Sequence, residues 1–547
     1  MKIRHHIERV EFAEGLVLLQ GWVVHDEKTT VLLQLNGKDL QGNPWSRPVA
    51  FNRDRPDVVE ALGLSPSLLH CGFFYYAAVP VGTVLELSAD SDGVCSVLHR
   101  WNDGYIASDE QPVVSPGSQR LRAYWQTWRY FGGRSWALLR KGQWKGFKAR
   151  AQRHLSIVLQ IPRLRLDSSA HILKSATFRW DCLVIDHDLG GGANQYRTKQ
   201  LMSELFTENS INVALLTFSV LSLQYVVFRI SPDGARDLVV RGSWSQVLSW
   251  LQQVQIKHVF YNNAVSFPHA FALVQALRAY RDAQSCRLTL AVHDYFAVCP
   301  SQHLQQTDGR YCAIPSLGEC SRCIAQNEQA MLSLYRHHGI ENWRFAWGEL
   351  LASADEVRIF DASAENILRK AYPQILFQTI LRPHQVAKLT SEECGQLLQW
   401  RMRKNQLSVR IGVVGAITSC SKGAIAVASL AQAIARSGRS YQIIVIGEYA
   451  GSSNKNLHVT GSYRPAELTP LIIKNDIDMF FFSSIVPETF SYVLHELERY
   501  QLPIAAFNIG AQSTFLERYS KAISLNLTDS SDEILKKIEL FLESVAR

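Results

Sequence analysis

Two glutamates eight residues apart, Glu488 and Glu496, stand in NDIDMFFFSSIVPETFSYVLHE (475–496), behind an apolar run and a proline. Ile477 and Met479 to Phe482 have the length and aromatic content of a buried parallel strand. Pro487 closes a short loop, and helical spacing is expected from Phe490. In an open α/β sheet such a turn lies at the carboxyl end of the strands, where the first N–H groups of the helix, those of Thr489, Phe490 and Ser491, can receive phosphate oxygens. Glu488 at the mouth can accept hydrogen bonds from a sugar hydroxyl, and Glu496 two turns deeper can hold a ribose diol. Lys422, at an earlier strand-to-helix turn, can neutralise a diphosphate as charge develops on a leaving group. His293 ends the strand RLTLAVHDYF, where an imidazole can bond a sugar hydroxyl or phosphate or merely cap its own loop. Together these residues predict a pocket for a nucleotide sugar.

With 49 acidic residues in 547, the glutamate spacing means little without its surroundings. SSIVPETFSYVLHE resembles the E-x7-E region of the family 4 glycosyltransferases, two-domain GT-B enzymes that retain anomeric configuration. From about residue 176 other stretches resemble the same family. Gly190, Gly191 and Gly192 follow the strand CLVID and match the glycine loop of the acceptor-side domain. Gly461 and Tyr463, after HVT, match the loop lining the base pocket, and the family places a histidine near the acceptor at the position of His293. The resemblance implies an α/β GT-B fold with two Rossmann-like domains facing a cleft, at 176–400 and 401–547. The first would begin its amphipathic helix at Thr198, and the closing helix of the second, SSDEILKKIELFLESVA, would pack across the domain junction. The family often carries an arginine a few residues before the lysine, whereas Ala416 to Ser421 supplies none.

Residues 1–105 alternate short β-branched and aromatic runs with Gly, Asn, Asp and Pro, the pattern of a small antiparallel sandwich. The succession GWVV, RPDVVEALG, CGFFYYAAV resembles an accessory module of bacterial polysaccharide glycosyltransferases, and it either orients the enzyme or contacts glycan. His5, His6 and His25 read as surface or core residues. The net charge of +8 is concentrated in a helical linker, 106–175: residues 111–166 hold twelve lysines and arginines and no acid, with Trp125, Trp128, Trp136 and Trp144 interleaved. This composition suits an anionic membrane surface. It equally suits a linker helix packed through its tryptophan face, and nucleic acid ranks below both because no RNP or GXXG signature accompanies the charge. The start, MKIRHHIERVEF, is too charged for a signal peptide, and no run is long enough to span a bilayer. A cytoplasmic protein, peripheral at the inner face of the plasma membrane, is the expectation.

Cys299, Cys312, Cys320 and Cys323 crowd one loop, which implies either a structural zinc or free thiols with a redox C-x-x-C pair. Asp186 and Asp188 form a D-x-D at a strand end, too common a pattern to predict a metal. The resemblance implies transfer of a sugar, with retention and without a catalytic cofactor, from a nucleotide-diphosphate donor to a glycan or polyprenyl-linked acceptor. A catalytically weak glycan-binding or scaffold protein is the alternative.

Overall fold

Short apolar and aromatic runs, with apolar and polar residues alternating in β3 and β4, build the amino-terminal strands: β1 (Ile3–Ala13), β2 (Leu16–His25), β3 (Leu32–Asp39), β4 (Pro44–Val49), β5 (Gly72–Ala78), β6 (Gly82–Ser91) and β7 (Val94–Trp101). They form two antiparallel sheets, β1-β2-β5 and β4-β3-β6-β7. Val17, Leu19 and Phe73 of the first share one core with Leu33, Leu35, Leu85 and Leu87 of the second, as the expected sandwich requires. β1, β4 and β7 are edge strands. Their charged and polar residues hid them in the sequence, whereas β5, also an edge strand, is an aromatic run.

The computed structural model describes residues 3–101 and 178–546, except 14–15, 26–30, 40, 52–54, 66–67, 69–70, 80–81, 92–93, 209–210, 221, 328–333, 336–337, 404–407 and 453. The basic linker of 106–175, with its segment 111–166, lies outside the described residues. The described residues form two compact units, those within 1–178 together with 212–254, and those within 179–211 together with 255–547. The second opens with β8 (Arg179–Ile185), and the first takes the chain back for the antiparallel strands β9 (Val213–Ser219), β10 (Gln224–Ile230) and β11 (Arg236–Gly242).

Two parallel sheets make up the second unit. In one, β8 is followed by β12 (Gln255–Tyr261), β13 (Arg287–Ala291), β14 (Glu356–Ile359) and β15 (Thr379–Leu381). The other contains β16 (Val409–Val414), β17 (Tyr441–Ile446), β18 (Leu457–Val459), β19 (Met479–Phe482), β20 (Ile504–Phe507) and β21 (Ala522–Leu525), in the order β18-β17-β16-β19-β20-β21. Its strands read as unbroken apolar runs because both faces are covered. Ile411, Val413, Met479 and Phe481 face one core, while Val414, Phe480 and Phe482 face the other. Strand order reverses between β16 and β19. In an open parallel sheet a crevice for ligands opens at that reversal, at the carboxyl ends.

The closing helix, Ser531–Ala546, departs from expectation. Ile534, Leu535 and Ile538 enter the core of the second sheet, and Arg436 pairs with Asp532 at 2.9 Å, so its apolar face is consumed within that domain. The first Rossmann helix also begins earlier than Thr198: it runs from Gly191 to Tyr196, continues as a π-helical turn, Arg197–Leu201, and resumes to Thr207. Glycines with open space around them let it start at the strand end.

Candidate functional site

The turn after β16 is fastened to the end of β19. Ser483 Oγ donates to Lys422 O at 2.7 Å, and the Ile485 N–H donates to Ser421 O at 3.1 Å. Gly423 sits at φ 81°, and a Cβ there would lie 1.8 Å from Ser483 O, so only glycine lets the two turns close this tightly. The strapping places Lys422 Nζ 2.8 Å from Glu488 Oε1. Glu488 holds the ammonium above the usual lysine range, with burial opposing. The Lys422 side chain as a whole is half exposed, while that of Glu488 is nearly buried.

The helix bearing Glu496 starts at Tyr492 and ends at Glu498, later than the Phe490 expected. Ser491 is its cap, accepting from the Leu494 N–H at 3.3 Å, and the Phe490 ring lies outside the helix, stacked on His495 at 4.3 Å. Thr489 Oγ1 donates to His293 O at 2.7 Å, which joins the two Rossmann domains at the strand end. Burial raises the Glu496 carboxyl against the pull of Arg499 and of Lys199, which comes from the π-helical turn of the other domain. Tyr463, half-buried in the second core, feels the same carboxylate, and Gly461 turns the chain toward it at φ 84°.

On the facing domain, Gly190 and Gly191 have φ 86° and 83°, and Gly192 has a ring carbon of Tyr492 3.4 Å from its Cβ position. The loop is held from below. Asn194 Oδ1 accepts from the Gly190 N–H at 2.6 Å, and its amide donates to Asp186 at 2.9 Å. Buried Arg197 bonds both Asp186 and Asp188 at 2.9 Å, so the D-x-D carboxylates are spent on a guanidinium. Burial still pushes Asp186 up to about 7.

His293 is enclosed. Its Nε2 is 2.8 Å from Asn262 Oδ1, and its ring stacks on Phe360 at 4.4 Å and lies 5.1 Å from Tyr196. Burial, with His384, His187 and Arg358 adding to it, keeps the imidazole well below its ordinary value and therefore neutral. His384, from the connection between the two sheets, stacks between Phe360 at 4.0 Å and Tyr492 at 4.9 Å. Arg358 steadies Tyr196: it bonds the Tyr196 hydroxyl at 2.7 Å, Glu204 at 2.9 Å and Glu356 at 2.7 Å.

Asn262, His384 and Arg358 carried no signal in the sequence, since each acts through residues far along the chain. His303 was also missed. It lies in the cysteine loop, which packs on the Lys422 turn so closely that a Cβ on Gly309 would meet Cys420 Sγ at 3.0 Å. Burial and Lys422 lower His303 to about 4, while Glu488 opposes them.

The four cysteines of that loop feel one another's charge, but they do not form a metal set: among the described residues no three His, Cys, Asp or Glu side chains are placed to hold an ion. Arg344 reaches Cys320 Sγ and Asn327 reaches Cys323 Sγ, each at 3.5 Å, and burial pushes Cys299 up to about 12.

Taken together, two Rossmann-like domains with a crevice at their carboxyl strand ends, preceded by a small β-sandwich, define a GT-B architecture. No family model and no curated protein matches the sequence. Among solved structures, the chain is similar to Anabaena Alr3699/HepE in complex with UDP-glucose (15% identity, TM-score 0.40, covering 67% of this chain and 91% of that one). It is also similar to WaaG, a glycosyltransferase involved in lipopolysaccharide biosynthesis (10%, 0.39, 67% and 91%), and to Arabidopsis thaliana UGT89C1 complexed with quercetin (12%, 0.33, 67% and 90%). These likenesses are weak.

Proposed function

We propose that the chain is a glycosyltransferase that moves a sugar, with retention, from a nucleoside-diphosphate sugar to a glycan or polyprenyl-linked acceptor. The observation that carries this reading is the Lys422–Glu488 pair at the strand-order reversal, next to Thr489, whose hydroxyl bonds the His293 carbonyl of the other Rossmann domain. Lys422 and the N–H groups of residues 489–491, which lie in the turn ahead of the helix rather than in its first turn, receive the diphosphate, and negative charge growing on the leaving oxygen is stabilised where it forms. Glu488 releases the ammonium to the diphosphate and accepts hydrogen bonds from the transferred sugar. Glu496, with Tyr463 and Gly461 beside it, takes the nucleoside. Gly190, Gly191 and Gly192 bring bare backbone against the donor from the other side, and His293 receives a hydroxyl.

No cofactor is assigned to this reaction, and the thiols of Cys299, Cys312, Cys320 and Cys323 are read as free. Among the described residues no helix is long and apolar enough to cross a membrane. The basic, tryptophan-bearing segment 111–166 supports a peripheral protein at the inner membrane face, where a lipid-linked acceptor of bacterial surface-polysaccharide synthesis would be presented. The rival, a catalytically weak scaffold or glycan-binding protein, draws on the missing arginine before Lys422. A panel of nucleoside-diphosphate sugars, with the product's anomeric configuration read by NMR, tests the proposal. Turnover with retention supports it, inversion removes the retaining claim, and no turnover by wild type with any donor favours the scaffold.

A further inference from the structure

The ring of His293 is held by a residue with no evident part in donor binding. We infer that Asn262 is a positioning residue that fixes His293 as the neutral tautomer with its proton on Nε2, leaving Nδ1 as the ring's acceptor.

Asn262 is fully buried just beyond β12, and its own N–H donates to Ile185 O at 2.9 Å, so its backbone is pinned to the first strand of the sheet. One end of its side-chain amide meets a group that can only accept, Ala193 O at 3.1 Å, in the helix behind the glycine loop. That end must be the NH2. The other end is therefore the carbonyl oxygen, and it lies 2.8 Å from His293 Nε2. A carbonyl oxygen accepts only, so Nε2 carries a proton.

The second nitrogen is then fixed by charge. The groups facing the ring are His384 from the inter-sheet connection, His187 from the β8 loop, Arg358 from β14 and Tyr196 from the first helix, with Phe360 against its face. Among the described residues no carboxylate bonds the ring, and burial together with the Arg358 guanidinium disfavours a second proton. Among the described residues nothing hydrogen-bonds Nδ1. A substrate atom bonded by this ring is accordingly a donor, a sugar or acceptor hydroxyl rather than an unprotonated phosphate oxygen, and His293 does not act as a general acid. The amide that sets the tautomer also holds Ala193, so the glycine loop and the histidine are positioned together.

The inference rests on the transferase reading for its use but not for its test. In protein labelled with [15N]histidine, long-range proton–nitrogen spectra report which ring nitrogen is protonated, with no substrate present, and His293→Gln assigns the signal. Wild type is expected to show the neutral Nε2–H form with no titration between about pH 5 and 8. Asn262→Ala should release the tautomer ratio by about tenfold, the worth of one hydrogen bond. Asn262→Asp, which places a carboxylate against Nε2–H, should bring the imidazole's titration back into that window. In turnover, both variants should lower kcat more than they raise KM for the nucleotide sugar, and Asn262→Asp should show a new acidic limb in its pH profile. A wild-type Nδ1–H signal, an imidazolium at pH 7, or an Asn262→Ala spectrum identical to wild type overturns the inference. If nucleotide sugars prove not to bind at all, the transferase reading fails while the spectra still decide the tautomer.

Discussion

Lys422 and Glu488 are paired at 2.8 Å, so a diphosphate must compete with a carboxylate for the ammonium. That competition is useful to a catalyst. The lysine is kept charged and in place, and it gains most when the leaving oxygen carries its full charge. Lys422→Ala should therefore lower kcat by about 10²–10³-fold, in the range of one lost oxyanion contact, measured as sugar transfer at saturating donor. A drop confined to KM would assign the residue to binding alone. His303 adds a second effect. It is held near 4 by burial and by Lys422, so it is neutral at pH 6, and a bound diphosphate would favour its protonated form. Nucleoside-diphosphate binding at pH 6 should take up a proton, read by calorimetry in buffers of different ionisation enthalpy. His303→Gln should abolish that uptake. The proton would supply the second positive charge that the stretch Ala416 to Ser421 lacks.

Between β16 and its following helix, the backbone itself is the device. Gly423 combines φ 81° with a Cβ position overlapping Ser483 O, so Gly423→Ala must move either the Lys422 turn or the end of β19. Destabilisation of at least about 1 kcal/mol is expected by urea unfolding, with a larger proportional loss of nucleotide binding. Equal, small losses of both would show that the turn tolerates displacement. At this scale much was legible in advance: the β19 strand, its loop and the lysine turn follow from continuous apolar runs broken by Gly and Pro. The helix start was misplaced by two residues, because Phe490 continues the apolar spacing while Ser491 takes the cap. The facing wall was largely illegible. Nothing local marks Asn262 in YNNAV, His384 in RPHQV or Arg358 within a strand, since their roles arise only when the connection and four strand ends converge on His293.

Over the whole second unit, burial leaves an imprint on stability. Seven histidines, His187, His258, His269, His293, His303, His384 and His495, sit below their ordinary value, chiefly through desolvation. Each is neutral in the folded chain where the unfolded chain, titrating near 6.5, takes up a proton. Their contribution is present above about pH 6.5 and is lost as pH falls toward about 4. The raised carboxyls of Asp186, Asp294 and Glu496 act in the opposite sense, but three against seven do not reverse the sign. The melting temperature should fall steadily across that window, and a flat profile would contradict the buried neutral cluster.

The central claim, a diphosphate held by Lys422 at the reversal of strand order, is tested most directly by a thermal-shift titration of wild type and Lys422→Ala with nucleoside diphosphates. Wild type should gain about 2.7 kcal/mol at a hundred times the dissociation constant of the preferred nucleotide, and the variant far less at the same concentration. No stabilisation by any nucleoside diphosphate, or equal stabilisation of both proteins, would contradict it.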